Sequence, residues 1–300
     1  MVKTPHHEGE QAVQRRAGEG HEGWGSPMFD AEIPRGFVPF LLRQRILVIG
    51  AVDDAGAAWS TVLSGPYGFI ETIDERTIIV HALPVPGDPL DGVFERVRDI
   101  GLLAIDPEHS RRVRINGVAK RQGGFLVVRT EQALGNCPKY LQQRVLLPDA
   151  VGTPPPTARH STALDEAQRR WITEADTFFI ASRAPEHGAD ASHRGGAPGF
   201  VQVVGDRKLV WPDYFGNSFY MTLGNLQLDP VCGLTFLDWD HGHALHVTGR
   251  AGIDWDPGRT EAVPGALRLV EFEVERVVQL DNFTALRWKF AAPSRFNPVS

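Results

Sequence analysis

Short apolar segments separated by turn residues run through most of the chain. The segment Ile46-Leu47-Val48-Ile49-Gly50-Ala51 is followed by an Asp-Asp-Ala-Gly turn and then by a second apolar segment, Ser60 to Leu63. Runs of about four to eight β-branched or aromatic residues between Gly, Pro and Asp are typical of strands joined by turns. The pattern predicts antiparallel strands over 46–51, 60–63, 68–73, 77–80, 102–105, 113–118 and 125–128, and again over 178–181, 200–204, 208–211, 234–237, 244–248 and 269–278.

These strands fall into two groups of about six, with little helix inside either group. A closed or nearly closed barrel is favoured for each group, because closure removes exposed sheet edges. Helix is predicted over 162–174, from its charge and apolar spacing. A second helix start is predicted over 136–144, with Asn136 or Cys137 as the cap and Pro138 in the first turn.

The two groups of strands share an internal repeat. The sequence from Gly65 to Val80 aligns without a gap onto Gly196 to Trp211, about 131 residues later. Two further blocks recur in the same order at an offset of about 132 residues, Gly-Leu-Leu-Ala-Ile-Asp with Gly-Leu-Thr-Phe-Leu-Asp and Arg-Ile-Asn-Gly-Val-Ala with His-Val-Thr-Gly-Arg-Ala. We therefore expect a flexible extension over 1–36, a first copy over 37–135, a helical and proline-rich linker over 136–170 and a second copy over 171–300.

Composition narrows the partners of the protein. Its 300 residues are 42% hydrophobic and 23% charged, with a net charge of -6, which disfavours a nucleic-acid partner because such proteins are usually basic. We find no signal peptide and no apolar run of about 18 residues, so no membrane segment is predicted. The two cysteines imply no disulfide framework and fit a reducing cytoplasm. The adjacent His6 and His7 are expected to be solvated rather than bound to a metal.

Several common catalytic motifs are missing. The sequence contains no Gly-x-Gly-x-x-Gly after a strand, no Walker A loop, no His-Glu-x-x-His, no Cys-x-x-Cys and no Gly-x-Ser-x-Gly. Their absence removes the usual support for Rossmann-type dinucleotide binding, P-loop chemistry, zinc catalysis and lipase-type hydrolysis. His241 and His243, in a turn, are not predicted to hold a metal.

One polar segment has the composition of a phosphate site. Ser192, His193 and Arg194 stand directly before a glycine pair. An arginine supplies a planar, permanently charged fork, and hydroxyl and backbone N–H groups complete the coordination of an anion. An arginine paired with a surface carboxylate explains the same residues equally well.

Other candidate positions are less distinctive. A turn over 212–219 and the residues 222–225 are rich in amide and hydroxyl groups. Arg112, Arg114 and Asn116 alternate along a predicted strand and so share one face, which most simply faces water. Lys139 follows Cys137 and Pro138 at the predicted helix start, where an anion would be stabilised by the helix N-terminus. The same position would activate the Cys137 thiol if it were exposed, although no histidine follows closely enough in sequence to act as its base.

Three of these segments together resemble a known family. The sequences Gly-Asn-Cys-Pro-Lys-Tyr-Leu-Gln-Gln-Arg, Gly-Ala-Asp-Ala-Ser-His-Arg-Gly-Gly-Ala-Pro-Gly-Phe-Val and Pro-Asp-Tyr-Phe-Gly-Asn are similar to those of pyridoxamine 5'-phosphate oxidase-related proteins with the FMN-binding split-barrel fold. The resemblance covers roughly residues 35–297 and points to a two-copy subfamily. It implies tandem split β-barrels, mainly β and antiparallel with Greek-key order, and a few short helices.

The resemblance also implies a cofactor and a site. FMN would bind where the two copies meet as an intramolecular pseudo-dimer, with the better phosphate loop in the second copy and Arg112 reaching across from the first. In the first copy the matching loop, residues 82–89, lacks those donors, and Ala244 replaces Arg112 in the second copy. The implied cofactor contacts are Ser182, Ser192, His193, Arg194, Asp213, Asn217, Ser218, Asn225, Arg112 and Lys139.

The implied activity is that of an oxidoreductase, with NAD(P)H as one candidate electron donor and a small molecule as substrate or electron acceptor. No catalytic residue is assigned. The Arg-Pro-x-x-Ser substrate helix of the oxidase is not found, and Phe219 replaces its basic phosphate ligand, so pyridoxamine phosphate oxidase activity itself is not expected. The alternative is a non-catalytic flavin- or haem-binding module for sensing, storage or a partner protein. A further homodimer is compatible with either function.

Overall fold

The structure, a computed structural model, describes residues 6–21, 29–216 and 218–298. Within them the chain forms seventeen strands and five α-helices, and every strand pairing is antiparallel. The predicted fold class, mainly β and antiparallel with a few short helices, is confirmed. Among the described residues no helix is both long and apolar enough to cross a membrane.

The first sheet has seven strands in the order β2-β1-β5-β6-β7-β4-β3. Consecutive strands β5, β6 and β7 are neighbours, but β4 lies beside β7, so the connection from β4 to β5 spans the sheet in a Greek-key arrangement. The strand bounds are β1 Ile46–Val52, β2 Ala58–Ser64, β3 Ile70–Asp74, β4 Thr77–Val80, β5 Arg98–Asp106, β6 Arg111–Gln122 and β7 Phe125–Gly135.

The second sheet repeats this order with β11-β10-β14-β15-β16-β13-β12 and adds β9 beside β16. Strands β8 and β17 form a separate two-stranded ribbon. The bounds are β8 Gln143–Leu146, β9 Thr157–Ser161, β10 Thr177–Ala184, β11 Gly188–Gly195, β12 Gln202–Val204, β13 Lys208–Tyr214, β14 Val231–Leu237, β15 Ala244–Asp254, β16 Ala266–Asp281 and β17 Trp288–Ala292. Strands β1 to β7 therefore correspond one by one to β10 to β16.

The two sheets pack together at equivalent points. A Cβ atom on Gly101 of β5 would lie 2.3 Å from the backbone nitrogen of Ala191 in β11, and one on Gly233 of β14 would lie 2.6 Å from the Cα atom of Trp59 in β2. Each sheet thus needs a glycine where the edge strand of the other sheet approaches. Side chains of both halves share one apolar core, in which Phe179 and Leu280 join residues of the first sheet.

The helices are short and lie outside the sheets. Their bounds are α1 Glu8–Ala17, α2 Val38–Leu41, α3 Glu166–Glu174, α4 Met221–Leu228 and α5 Pro257–Thr260. Helix α3 falls within the predicted segment 162–174, and it begins at a capping box formed by Asp165 and Gln168.

The N-terminal segment differs from the predicted flexible extension over its described part. Helix α1 begins at a capping box in which the His7 side chain accepts the backbone N–H groups of Gly9 and Glu10. His6 is buried and lies 3.1 Å from Glu10, so the expectation of two solvated histidines is wrong. Residues 1–5 and 22–28 lie outside the described residues. Burial of Val13 in the second half's core explains why the segment is ordered.

One other local prediction is wrong. No helix begins at residues 136–144; the segment runs as a loop into β8, and Tyr140 in it has a φ of 64°. The polar segment before the glycine pair, where the apolar pattern predicted no strand, forms strand β11, which is an edge of the second sheet and pairs with β10 over its whole length. Its polar side chains hide the strand pattern in the sequence, because they face the other half of the chain instead of an apolar core.

Candidate functional site

Strands from the two halves of the chain meet along a row of polar contacts. Arg112 Nη1 lies 2.8 Å from His193 Nδ1, and Arg114 Nη2 donates a 2.6 Å hydrogen bond to Ser192 Oγ. Both arginines, with Asn116, lie on one face of β6, and this face packs against β11. The expectation that it faces water is therefore wrong, since the second half of the chain covers it.

A cleft opens beside this row, between β6, β11, β13 and the start of α4. We call it the interface cleft. Its cavity volume is about 110 Å³, and its walls include Arg112, Arg114, Ser192, His193, Arg194, Asp213, Ser218, Tyr220, Lys139 and Tyr140. It thus collects polar side chains from elements that are up to about a hundred residues apart in the sequence.

Arginines outnumber carboxylates around the cleft. Arg194 Nη1 and Arg268 Nε lie 3.5 Å from the two oxygens of Asp213. Arg114 Nε lies 3.3 Å from Asp190. With Arg112, four guanidinium groups therefore stand against three carboxylates, those of Asp190, Asp213 and Glu19, in the described part of this site. Removing ions from water is costly unless their charge is compensated, so the arrangement favours an additional anion.

The protonation of His193 follows from its partner. Because a guanidinium can only donate, His193 Nδ1 is the acceptor for Arg112, and the ring proton lies on Nε2. Burial, together with Arg112 and Arg194, lowers the pKa of His193 well below its usual value, so the ring is neutral. Nε2 is buried and has no hydrogen-bond partner among the described residues. It is therefore a free N–H donor in the wall of the cleft.

Burial in the site disfavours the charged form of two of its arginines. Burial, and then repulsion from Arg114, lowers the pKa of Arg112 to about 9. Burial also lowers the pKa of Arg194, although Asp213 opposes the change. A bound anion would reverse both shifts, because it stabilises the charged form of each guanidinium.

Strained backbone surrounds the cleft. Of the six non-glycine residues with positive φ in the described chain, three line it, namely Tyr140, Ser218 and Tyr220. Such conformations cost free energy and persist where the surrounding contacts impose them, often at functional sites. Gly195 permits the approach of this loop, since a Cβ atom there would lie 2.2 Å from the carbonyl oxygen of Tyr140.

The structure brings together seven of the ten candidate cofactor contacts. Arg112, Lys139, Ser192, His193, Arg194, Asp213 and Ser218 all line the interface cleft. The helix N-terminus expected beside Lys139 is absent from the described chain; the Lys139 Nζ atom lies 4.1 Å from the centre of the Phe215 ring. Ser218 Oγ donates to a carboxylate oxygen of Glu19 from the N-terminal segment.

Two of the remaining three candidates, Ser182 and Asn225, are placed differently. Asn225 Nδ2 donates to Ser182 Oγ at 3.0 Å, and Asn225 Oδ1 lies 2.9 Å from His7 Nε2. This buried group ties α4 to β10 and to the N-terminal segment, and it does not line the cleft. Asn217 lies outside the described residues.

Sequence reasoning missed one buried residue of the site. Arg268, on β16, is 2% exposed and lies between the rings of Tyr220 and Trp255, at 4.9 and 4.8 Å. Nothing next to it in the sequence marks it, because its partner Asp213 comes from β13. The alternation along β6 did signal Arg114, but the surface that it faces depends on the fold of the second half.

The other candidate chemistry finds little support in the described residues. Arg112 Nε donates to the carbonyl oxygen of Cys137, but no helix is present to activate the thiol. His7, Glu8 and His187 lie close enough together to hold a metal ion. However, His7 uses one ring nitrogen at the helix cap and the other at Asn225, which leaves none for a metal.

The donors in the cleft fit the phosphate of FMN. The surplus guanidinium charge, the unpartnered His193 N–H and the buried Arg194 Nε, which also lacks a hydrogen-bond partner in the described chain, match a dianion with several acceptor oxygens. A cavity of about 110 Å³ has room for such a group but not for a tricyclic ring, given that a 150 Å³ cavity holds benzene.

Comparisons with known proteins concern the fold. No protein-family model and no curated protein matches the chain. Among solved structures it is similar to HupZ of Group A Streptococcus, with 11% identity, a TM-score of 0.33 and coverage of 38% of this chain and 92% of that one. An FMN-binding protein from Syntrophomonas wolfei has 11% identity, a TM-score of 0.29 and coverage of 38% and 84%. A FAD-binding protein from Mesorhizobium loti has 13% identity, a TM-score of 0.28 and coverage of 41% and 97%. At these values the likenesses carry no conclusion about function.

Proposed function

We propose that the chain binds FMN with its phosphate in the interface cleft and its isoalloxazine ring outside that cavity, and acts as a flavin-dependent oxidoreductase of the pyridoxamine 5'-phosphate oxidase-like class. The surplus of buried positive charge between the two halves carries this proposal. Arg112, Arg114 and Arg194 would hold the phosphate, with the His193 N–H as a neutral donor. Asp213 would position Arg194 and Arg268 by forming an ion pair with each.

The flavin would supply the transfer of a hydride or electrons, and the protein would supply binding and orientation. Among the described residues we assign no catalytic side chain. NAD(P)H is proposed as an electron donor, with a small molecule as the acceptor. Two free cysteines, Cys137 and Cys232, agree with the proposed cytoplasmic location.

The duplication is part of the same proposal. Residues 37–135 and 171–300 would be two split barrels that form an intramolecular pseudo-dimer around one FMN. The equal strand order of the two sheets supports this, as do the matching glycine contacts between them. Both walls of the cleft come from one chain, so cofactor binding requires no second copy.

The first experiment measures FMN binding directly. We expect the purified protein to show flavin absorbance or to take up FMN on titration, and to bind riboflavin, which lacks the phosphate, more weakly. Each charge-assisted hydrogen bond to the phosphate contributes about 1.5 to 3 kcal/mol. A colourless protein without FMN uptake would contradict the proposal. Equal affinity for riboflavin and FMN would show that the cleft does not bind the phosphate.

A residue test uses Arg194→Ala, with Arg250→Ala as the matched control on an exposed position of β15. The first variant should lose about 1.5 to 3 kcal/mol of FMN binding free energy, and the control should bind as the unaltered protein does. Reduction of the bound flavin by NADH or NADPH in stopped flow then separates an oxidoreductase from a non-catalytic module. Absence of reduction by either donor would favour the module.

A further inference from the structure

A second cavity lies at the other side of the start of β6. Its volume is about 670 Å³, within the usual range for small-molecule sites. Phe37 and Phe40, from the turn before α2 and from α2 itself, face Phe296 from the C-terminal segment across it. We call it the Phe cavity. Arg112 and Asn136 belong to the walls of both cavities, so the two sites are neighbours.

The charged groups of the Phe cavity have one sign. Its described lining contains Arg111, Arg112 and Arg295 and no aspartate or glutamate. Arg111 and Arg295 make no ion pair within the described chain. Their guanidinium groups lie 5.2 Å from the Phe40 ring and 4.9 Å from the Phe296 ring. Each cation is thus held beside an aromatic wall and keeps its charge available to a ligand.

The C-terminal wall of the cavity is fixed in place. Gln142 Oε1 accepts hydrogen bonds from the backbone of Ser294 at 2.8 Å and from Asn297 Nδ2 at 3.1 Å. These contacts hold the residues on both sides of Arg295 and Phe296. Across the cavity, Asn136 Oδ1 is buried and has no hydrogen-bond partner among the described residues, so a ligand with a donor group would satisfy it.

We propose that the Phe cavity binds a planar aromatic anion that carries a hydrogen-bond donor. The half-buried rings of Phe37 and Phe296 match the flat apolar surface of such a molecule, Arg111 and Arg295 match its carboxylate or sulfonate, and Asn136 matches its donor. This inference does not rest on the proposed function, because it concerns a separate cavity that is tested without FMN.

The probe is 8-anilinonaphthalene-1-sulfonate, which has two aromatic systems, a negative charge and an N–H group. Binding is followed by its fluorescence, with saturating inorganic phosphate present to occupy the interface cleft. One probe should bind per chain. Arg111→Ala and Arg295→Ala should each weaken binding about three- to tenfold, while the uncharged N-phenyl-1-naphthylamine should bind equally to both variants and to the unaltered protein.

Arg121→Ala is the matched control, since Arg121 is at the far end of β6 and does not line the Phe cavity. It should leave the affinity unchanged. Equal loss in Arg121→Ala and Arg111→Ala would overturn the proposal, because the effect would then be one of general charge. Loss of probe binding in Arg194→Ala, with none in Arg111→Ala or Arg295→Ala, would also overturn it, since the probe would then occupy the interface cleft.

Discussion

The two halves of the chain cross each other twice, and the two crossings differ in what fills them. At the first crossing, β6 of the first sheet meets β11 of the second. At the second crossing the two sheets exchange roles. Strand β15 of the second sheet, which is equivalent to β6, meets β2 of the first sheet, which is equivalent to β11. The strand correspondence places His246 at the position of Arg114 and Thr61 at that of Ser192. His246 Nδ1 lies 3.0 Å from the carbonyl oxygen of Ser60, so contact between the halves is kept.

The second crossing contains its own buried carboxyl group, Asp88, and burial raises the pKa of this group. Thr61 Oγ1 donates to the carboxylate of Asp88, which is 4% exposed and belongs to the connection between β4 and β5. Arg112, His193 and Arg194 of the first crossing are replaced there by Ala244, Val62 and Leu63. The strand arrangement is the same at both crossings, but among the described residues only the first crossing has more cationic than anionic side chains. Topology therefore sets where the walls meet, and a few side chains decide whether a ligand is needed there.

Equal loss of stability at the two crossings is the largest effect that we expect. Gly101→Ala and Gly233→Ala should each lower the free energy of unfolding by about 3 kcal/mol, since the added Cβ meets backbone atoms and the sheets must shift. Urea unfolding measures both. Gly252→Ala is the control, because a Cβ there meets nothing within 4 Å. A Gly233 variant as stable as the Gly252 variant would break the equivalence of the two crossings.

The second-largest expected effect is an unequal response of the two crossings to a bound ligand. FMN at about one hundred times its dissociation constant should raise the free energy of unfolding by about 2.7 kcal/mol. His246→Ala should retain this stabilisation, measured relative to its own ligand-free state, because the second crossing takes no ligand. Arg194→Ala should lose most of it at the same FMN concentration. If instead His246→Ala lost as much, the assignment of the ligand to the first crossing would fail.

The smallest expected effect concerns acid pH. Burial and the neighbouring arginines lower the pKa of His193 in the folded chain, whereas the unfolded chain takes up a proton near pH 6.5. The free energy of unfolding should therefore fall as the pH falls below about 6.5, by up to about 1.4 kcal/mol per pH unit for this group.

His193→Gln should reduce this slope in urea titrations at a series of pH values, relative to the unaltered protein. Burial also lowers the pKa of His246, although Asp88 opposes the shift, so His246 itself should contribute with the same sign as His193. Burial raises the pKa of Asp88, so this carboxyl group contributes with the opposite sign. An unchanged slope in His193→Gln would mean that His193 is already charged in the folded protein.

The strand pattern could be predicted well because it depends on local alternation. Strand β4, at Thr77–Val80, has the predicted bounds, and β1 extends the predicted segment by one residue. Strand β11 could not be found in the same way, since its outward face consists of Asp190, Ser192 and Arg194 and is covered by the other half of the chain. The polar residues of β11 indicate a candidate ligand site in the sequence but do not indicate a strand.

The residue types of the candidate site could be predicted from the sequence, but not every residue that belongs to it. Ser192, His193 and Arg194 stand together in the sequence, so their composition was enough to select them. Arg268 was not selected, because its role depends on pairing between β13 and β16. The predicted helix near Lys139 failed for a related reason: Arg112 takes the carbonyl oxygens of Cys137 and Lys139, which a helix would use internally.

Helix α1 packs against the second half of the chain, although it stands before the first half in the sequence. Helix α1 precedes the first sheet, yet a Cβ atom on its Gly9 would lie 2.3 Å from the carbonyl oxygen of Gly224 in α4 of the second half. A fragment that starts at Thr157 would therefore contain every strand of the second sheet but lack the helix that covers α4. The second half therefore packs against a helix from the other end of the chain, and cutting the gene at the repeat would separate α4 from that helix.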